Sequence, residues 1–364
     1  MRTVWKVAGW VGGAMGAAAS AAATAMVVHS NRIARERRDG AGQDQDGEVL
    51  GALRPDREYT VTAADGVPLS VEEVDPADGG TPEATVVLVH GYTLDRRCWH
   101  FQRRDLARST APRVRLVLYD HRSHGRSGRS DRHACNIEQL GRDLEAVIRA
   151  AAPEGPLVLI GHSMGGMTIM ALAEHDPELF ADRVRGVALL NTSAGDIGRS
   201  GLPRPFLSRR NPAMVITARV ARGMPDAVER GRKRCRHLLW GLTRWLSFGD
   251  APFAVADLMD TMMCACPAEV MMDFLPTLGA HNRYAALAGL QFVEALVIGS
   301  DGDRLVQFQH SEAIAALLPD AELVCVSGTG HMTMMEQPRI VTEHLQRLLS
   351  SRYVGPTVSP ARQA

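Results

Sequence analysis

Cysteine is scarce and scattered in this chain: six in 364 residues. Cys98, Cys135, Cys235, Cys264, Cys266 and Cys325 form no Cys-x-x-Cys pair and no Cys/His cluster at zinc spacing. A disulfide framework and a structural zinc site are therefore excluded as organising devices, and the six read as mostly buried, reduced thiols. Excess charge of either sign is also missing, since 41 Lys and Arg balance 41 Asp and Glu. That balance argues against nucleic acid as a main partner. There is no phosphate-binding glycine loop and no internal repeat. Nothing calls for a metal or an organic cofactor.

What is present is one strong local pattern. Leu157–Met167 reads Leu-Val-Leu-Ile-Gly-His-Ser-Met-Gly-Gly-Met, a short apolar run feeding into Gly-x-Ser-x-Gly and then a helix-like sequence. Such a strand-to-helix turn lifts a serine hydroxyl out of a sheet, ready to attack a carbonyl carbon. Ser163 would sit there in a strained backbone conformation, and Gly161 and Gly165 would tolerate the crowding that results. Gly166 would let the following helix lie close on the sheet.

The context strengthens the pattern. Ala84–Tyr92 is a buried-strand sequence ending in His90-Gly91. Val297–Arg304 is another apolar run, ending in Gly-Ser-Asp-Gly-Asp-Arg, and Leu323–Met332 runs into Thr-Gly-His-Met. An acid and a histidine thus each follow a strand, in the order Ser…Asp…His. In these residues the chain resembles the α/β-hydrolase superfamily, over about residues 58–350, in its serine-nucleophile esterase and lipase-like branch.

The resemblance implies roles by position. Ser163 is similar to the nucleophile, His331 to the general base, and Asp303 to the acid that orients the histidine. Asp301, in the same loop, competes with Asp303; the Arg-Leu-Val that follows Asp303 favours it. Both aspartates also suit a turn. The backbone N–H groups of Tyr92 and Met164 match the family's oxyanion hole. His162 reads as a structural neighbour of the serine. His121 and His124, in Asp120-His121-Arg122-Ser123-His124-Gly125-Arg126-Ser127, fall in a loop similar to the family's Asp-x-Arg-Gly-x-Gly-x-Ser. That loop is normally structural, and Ser123 stands where the family usually has glycine.

The N-terminus is the second informative region. Val7–Val28 is uncharged and rich in Ala, Gly, Val and Met. At 1.5 Å per residue a helix there would span roughly 30 Å, the thickness of a bilayer core. The expectation is a single-pass membrane anchor over residues 7–28, with secretory signal cleavage and a soluble Ala-rich helix as alternatives. Arg32, Arg35, Arg37 and Arg38 follow the run, and the positive-inside rule then favours a cytoplasmic catalytic domain.

The rest of the chain divides as follows. Residues 1–30 form the hydrophobic segment, 31–57 a polar linker, 58–195 and 286–351 the two parts of an α/β core, 196–285 a helical cap, and 352–364 a disordered tail. Glu58–Val71 reads as a hairpin turning at Asp65-Gly66. Strands are expected at 84–89, 114–119, 157–160, 184–190, 295–299 and 321–326, alternating with helices. That alternation implies a mostly parallel sheet covered on both faces. Asn136 is a plausible N-cap for a helix burying Ile137, Leu140, Leu144, Val147 and Ile148. Pro338 would start the last helix. Between 196 and 285 no strand periodicity is found. Met214, Met224, Met259, Met262, Met263, Met271 and Met272, with Trp240, Trp245, Phe206, Phe248, Phe253 and Phe274, suit a pocket lid or simply helix packing. Arg230–Phe248 places Leu238, Leu242 and Trp245 on one helical face.

The resulting expectation is a hydrolase that cleaves a small to medium apolar ester, thioester or lactone through an acyl-enzyme, without metal or cofactor. Its partners would be a small apolar acyl substrate and the membrane, with no nucleic acid; oligomeric state is left open. Acyl transfer by the same residues, or a ligand-binding receptor on the same fold, are the alternatives.

Overall fold

A computed structural model of the protein describes residues 31–33, 35–36, 47–199 and 211–351. Eight strands form one sheet in the order β1-β2-β4-β3-β5-β6-β7-β8. They are β1 (Arg57–Thr62), β2 (Pro68–Val74), β3 (Ala84–Val89), β4 (Val114–Tyr119), β5 (Leu157–His162), β6 (Val184–Leu190), β7 (Glu294–Gly299) and β8 (Glu322–Cys325). The pairs β1–β2 and β2–β4 are antiparallel, and every later pair is parallel. The central strands β3 to β7 are legible in the sequence because both their faces are largely buried, so each reads as a mainly apolar run. Val86 and Leu88 enter one core while Val87 and Val89 enter the other, the two-residue period of a strand.

From residue 100 onward the α-helices are α1 (His100–Leu106), α2 (Ile137–Ala151), α3 (Met164–His175), α4 (Pro177–Asp182), α5 (Pro212–Gly223), α6 (Pro225–Ser247), α7 (Phe253–Ala265), α8 (Ala268–Ala280), α9 (Gln309–Ala315), α10 (Thr333–Glu336) and α11 (Pro338–Leu349). One face of the sheet is covered by α1 and α11 through Leu106, Val341 and Leu345, and α7 adds Val255 to the same core. The other is covered by α2, α3 and α9 through Leu144, Val147, Ile169 and Ile314. Asn136 caps α2, its side-chain oxygen accepting the Gln139 N–H at 2.8 Å.

The hairpin turns at Gly66, with φ +86°. Asp65 beside it accepts from the fully buried Arg122, which also grips Asp143 through two 2.6 Å bonds. Paired this way, a guanidinium can be held out of water. The serine at 123 keeps the loop in shape by adopting the left-handed conformation itself, φ 63°, with its N–H on the Gly128 carbonyl and its hydroxyl accepting from Ser130 N–H.

Two expectations meet a different outcome. The first concerns the N-terminus. The structure corrects the single-pass membrane placement: no helix among the described residues is long and apolar enough to cross a membrane. Val7–Val28, on which that placement rested, lies outside the described residues. The expectation was weak in physical terms because alanine and glycine bury little apolar surface and drive insertion only slightly. Second, the described end of the linker packs on the body. Leu50 is buried, Gly51 N–H donates to His100 Nδ1 at 3.1 Å, and Arg57 already belongs to β1. On α6, Leu242 is partly exposed at the wall of the cavity described below, Trp245 faces solvent, and Trp240 is buried against Phe253. The tail at 352–364 lies outside the described residues.

Candidate active site

β5 ends at His162 and α3 begins at Met164, so Ser163 alone makes the turn between them. Its backbone stands at φ 53° and ψ −117°, a region that L-residues rarely enter. Neighbouring bonds hold it there. Ser163 N–H donates to the Leu190 carbonyl at 2.9 Å, and its own carbonyl accepts from Thr192 Oγ1 at 2.6 Å. The glycines around it are required by close approach: a Cβ on Gly161 would lie 2.6 Å from the Gly165 carbonyl carbon, and one on Gly165 would lie 2.1 Å from the Val89 oxygen.

Three residues distant in sequence meet at this turn. His331 Nε2 lies 3.0 Å from Ser163 Oγ, and His331 Nδ1 lies 2.7 Å from Asp303 Oδ2. Asp303 is nearly fully buried, and its other oxygen accepts the Leu305 and Val306 N–H groups at 2.8 and 2.9 Å. Burial alone would raise its carboxyl, but His331, the hydrogen bond between them, and the Val306 and Asn191 donors hold it below the usual aspartate range. Asp301 takes no part in this chain; it is exposed and accepts the Gly328 N–H at 2.7 Å, the work of a turn former.

The segment after β3 forms the opposite wall. No hydrogen bond among the described residues engages the Tyr92 or Met164 N–H. Thr93, next to Tyr92, has φ 63° and donates its N–H to His124 Nε2 at 3.2 Å. His121 N–H donates to His90 Nε2 at 2.9 Å, and His121 Nε2 pairs with the His90 carbonyl at 3.0 Å. Accepting these N–H groups requires His90 and His124 to be neutral. Burial pushes His90 down to about 4 and His124 to about 3, and lowers His121 well below the ordinary histidine value. His162 sits beside the serine as a structural neighbour. Its Nε2 pairs with the His331 carbonyl at 2.9 Å, and burial together with His331 lowers it to about 3.

Ser163 and His331 open onto a cavity of about 400 Å³. Its wall includes Leu239, Leu242 and Leu246 of α6, Met259 and Met263 of α7, and Met271, Met272 and Leu278 of α8. No Asp, Glu, Lys or Arg lines it among the described residues. Four of the methionines singled out in the sequence thus reach the cavity, while Met262 is buried in the core and Met224 is exposed. Among the described residues no group of three or more His, Cys, Asp or Glu is arranged to hold a metal ion.

Sequence reading missed three supporting residues. Asn191, at φ 46° after β6, donates its amide to Asp303 Oδ2 at 3.0 Å. Thr192 fixes the serine carbonyl. Glu336, at the end of α10, accepts the Gly330, Gly249 and Asp250 N–H groups at 2.9, 3.0 and 2.6 Å, joining the His331 loop to the end of α6. Asn191 and Thr192 follow a strand directly, a position where polar residues commonly serve a site; that is the one signal the sequence offered.

The sheet order, the strained serine turn and the Ser–His–Asp chain define the α/β-hydrolase class. Residues 86–344 match the Alpha/beta hydrolase family, and the chain belongs to it. The protein is accordingly a hydrolase. The pimeloyl-(acyl-carrier protein) methyl ester esterase of Xanthomonas oryzae pv. oryzae is 27% identical over 291 residues, spanning 73% of this chain and 95% of that one. Among solved structures, a thermophilic esterase from Thermogutta terrifontis superposes with a TM-score of 0.62 at 23% identity, covering 82% of this chain and all of the other. The enol-lactonase from Burkholderia xenovorans LB400 gives 0.58 at 22% identity over 80% of this chain and all of its own. At such identities the structural likeness speaks for the fold alone.

Proposed function

We propose that the protein cleaves a small to medium apolar ester, thioester or lactone through an acyl-enzyme on Ser163. One observation carries the reading: an unbroken hydrogen-bonded line from Asp303 through His331 to Ser163 Oγ, ending at an uncharged apolar cavity. The esterase name of the related Xanthomonas protein supports cleavage at an acyl carbon.

In this mechanism His331 Nε2 takes the hydroxyl proton as Ser163 Oγ bonds to the acyl carbon. The carbonyl π pair moves onto its oxygen, which the Tyr92 and Met164 N–H groups receive; such donors are worth about 10²–10³ in rate each. The intermediate collapses, the bond to the leaving oxygen or sulfur breaks, and His331 gives that atom the proton. Water then repeats the sequence at the acyl-enzyme, releasing the acid and the free serine. Asp303 keeps Nδ1 protonated and steadies the imidazolium.

The test is labelling of the purified protein with a fluorophosphonate, followed by p-nitrophenyl esters of graded chain length. Ser163→Ala is expected to abolish labelling and lower turnover by about 10⁶. Undiminished labelling of the alanine protein would overturn the assignment.

A further inference from the structure

Tyr92 is bound to the site twice, by two different parts of itself. Its N–H belongs to the proposed oxyanion hole. Its hydroxyl donates to the Met271 carbonyl of α8 at 2.6 Å, across 179 residues of sequence. The next residue is tied the same way: Thr93 N–H donates to His124 Nε2, and the His124 ring packs edge-on against Phe274 of α8, centroids 5.3 Å apart. His124 is itself fixed through Nδ1 to the Arg122 carbonyl at 3.0 Å. Phe274 is fully buried, and Met271 and Met272 of the same helix line the cavity.

We propose that the Tyr92 hydroxyl and the His124 ring position the Tyr92 N–H from α8, so that the wall that touches the acyl chain and the group that receives the oxyanion move together. The inference rests on the proposed acyl-enzyme reading. Its physical basis is the left-handed turn at Thr93, φ 63°, which an L-residue holds only when its surroundings impose it. The two α8 tethers and the His124 acceptor are the surroundings that do so. Both residues act here through the backbone of the loop, as positioning groups.

Tyr92→Phe removes one hydroxyl and leaves the backbone N–H in place. On p-nitrophenyl butyrate, with active serines titrated by a fluorophosphonate, kcat per titrated serine is expected to fall about ten- to a hundredfold while KM stays within about threefold, the signature of a misplaced transition-state donor. His124→Leu should fall in the same range, and His124→Gln, which keeps an acceptor for Thr93 N–H, should recover to within about threefold of wild type. An unchanged kcat per titrated serine in Tyr92→Phe and His124→Leu, with only the melting temperature lowered, would overturn the proposal. Failure of the wild-type protein to label would instead remove the acyl-enzyme reading, and this inference with it.

Discussion

Asn191 and His331 share one carboxylate oxygen: Asp303 Oδ2 lies 3.0 Å from the Asn191 amide nitrogen and 2.7 Å from His331 Nδ1. The carboxylate therefore receives donors from β6, from its own loop and from the histidine. Each donor favours the ionised form, and together they outweigh the cost of burial. Asn191→Gly keeps the left-handed backbone at this position, φ 46°, and deletes only the amide. Because a hydrogen bond to a charged group is worth about 1.5–3 kcal/mol, kcat is expected to fall about tenfold. A pH–rate profile of this variant with an unchanged plateau would refute the role.

The two loop aspartates are expected to separate sharply. Asp303→Asn leaves His331 in the wrong tautomer and should cost about 10³–10⁴ in kcat. Asp301→Asn keeps an oxygen for the Gly328 N–H and should cost less than about threefold. Steady-state kinetics of the two proteins side by side decide it; the reverse ranking would move the acid to 301.

Strain at the serine turn predicts a stability gain without activity. Ser163→Gly relieves a conformation costing about 1–3 kcal/mol, offset by the roughly 0.5–1 kcal/mol of extra chain entropy that glycine loses on folding. A melting temperature raised by roughly 2 °C is expected. Ser163→Ala, which keeps the Cβ and the strain, should show no such rise. Equal melting temperatures for the two variants would mean the turn is relaxed.

The buried histidines predict acid lability. Burial lowers His90 to about 4, and His124, His162 and His281 to about 3, with neighbouring histidine rings adding to it at His124 and His162 and Arg283 at His281; His121 also lies well below its ordinary value. An unfolded histidine titrates near 6.5. Between about pH 6.5 and 4 the unfolded chain therefore binds protons that the folded chain refuses, so stability is full above pH 6.5 and falls as pH drops. At pH 5 each group contributes on the order of 2 kcal/mol to that loss. Thermal melts from pH 8 to pH 5 should show a steep fall, less steep in His124→Gln. A flat profile would show that these rings are not buried neutral.

Legibility from sequence followed the range of the interactions. The central parallel strands β3 to β7 were readable because burial on both faces writes a mainly apolar run into each of them. The serine turn was readable because its crowding demands glycine at 161 and 165, a purely local constraint. Asn191 reaches Asp303 across 112 residues and Glu336 reaches Gly249 across 87. A single polar residue with so distant a partner leaves no periodic trace. Between Asp301 and Asp303 the following Arg-Leu-Val favours the second, but both stand in good turn chemistry, and what separates them physically is whether the carboxylate meets His331 or Gly328. The stretch around Leu50 reads as a linker because polar neighbours set the composition of the window, although Leu50, the Gly51 N–H and the Glu48–Arg104 pair dock it on the body.

No Asp, Glu, Lys or Arg lines the cavity among the described residues, and under the proposed ester cleavage that gives turnover a direction. A neutral ester would enter an environment that solvates it well. Its hydrolysis would leave a carboxylate that meets no lysine or arginine among those lining residues. An unpaired carboxylate is far costlier to keep out of water than the ester it came from. The proposed reaction would thus evict its own acid product, the same wall that welcomes the substrate resisting what it becomes.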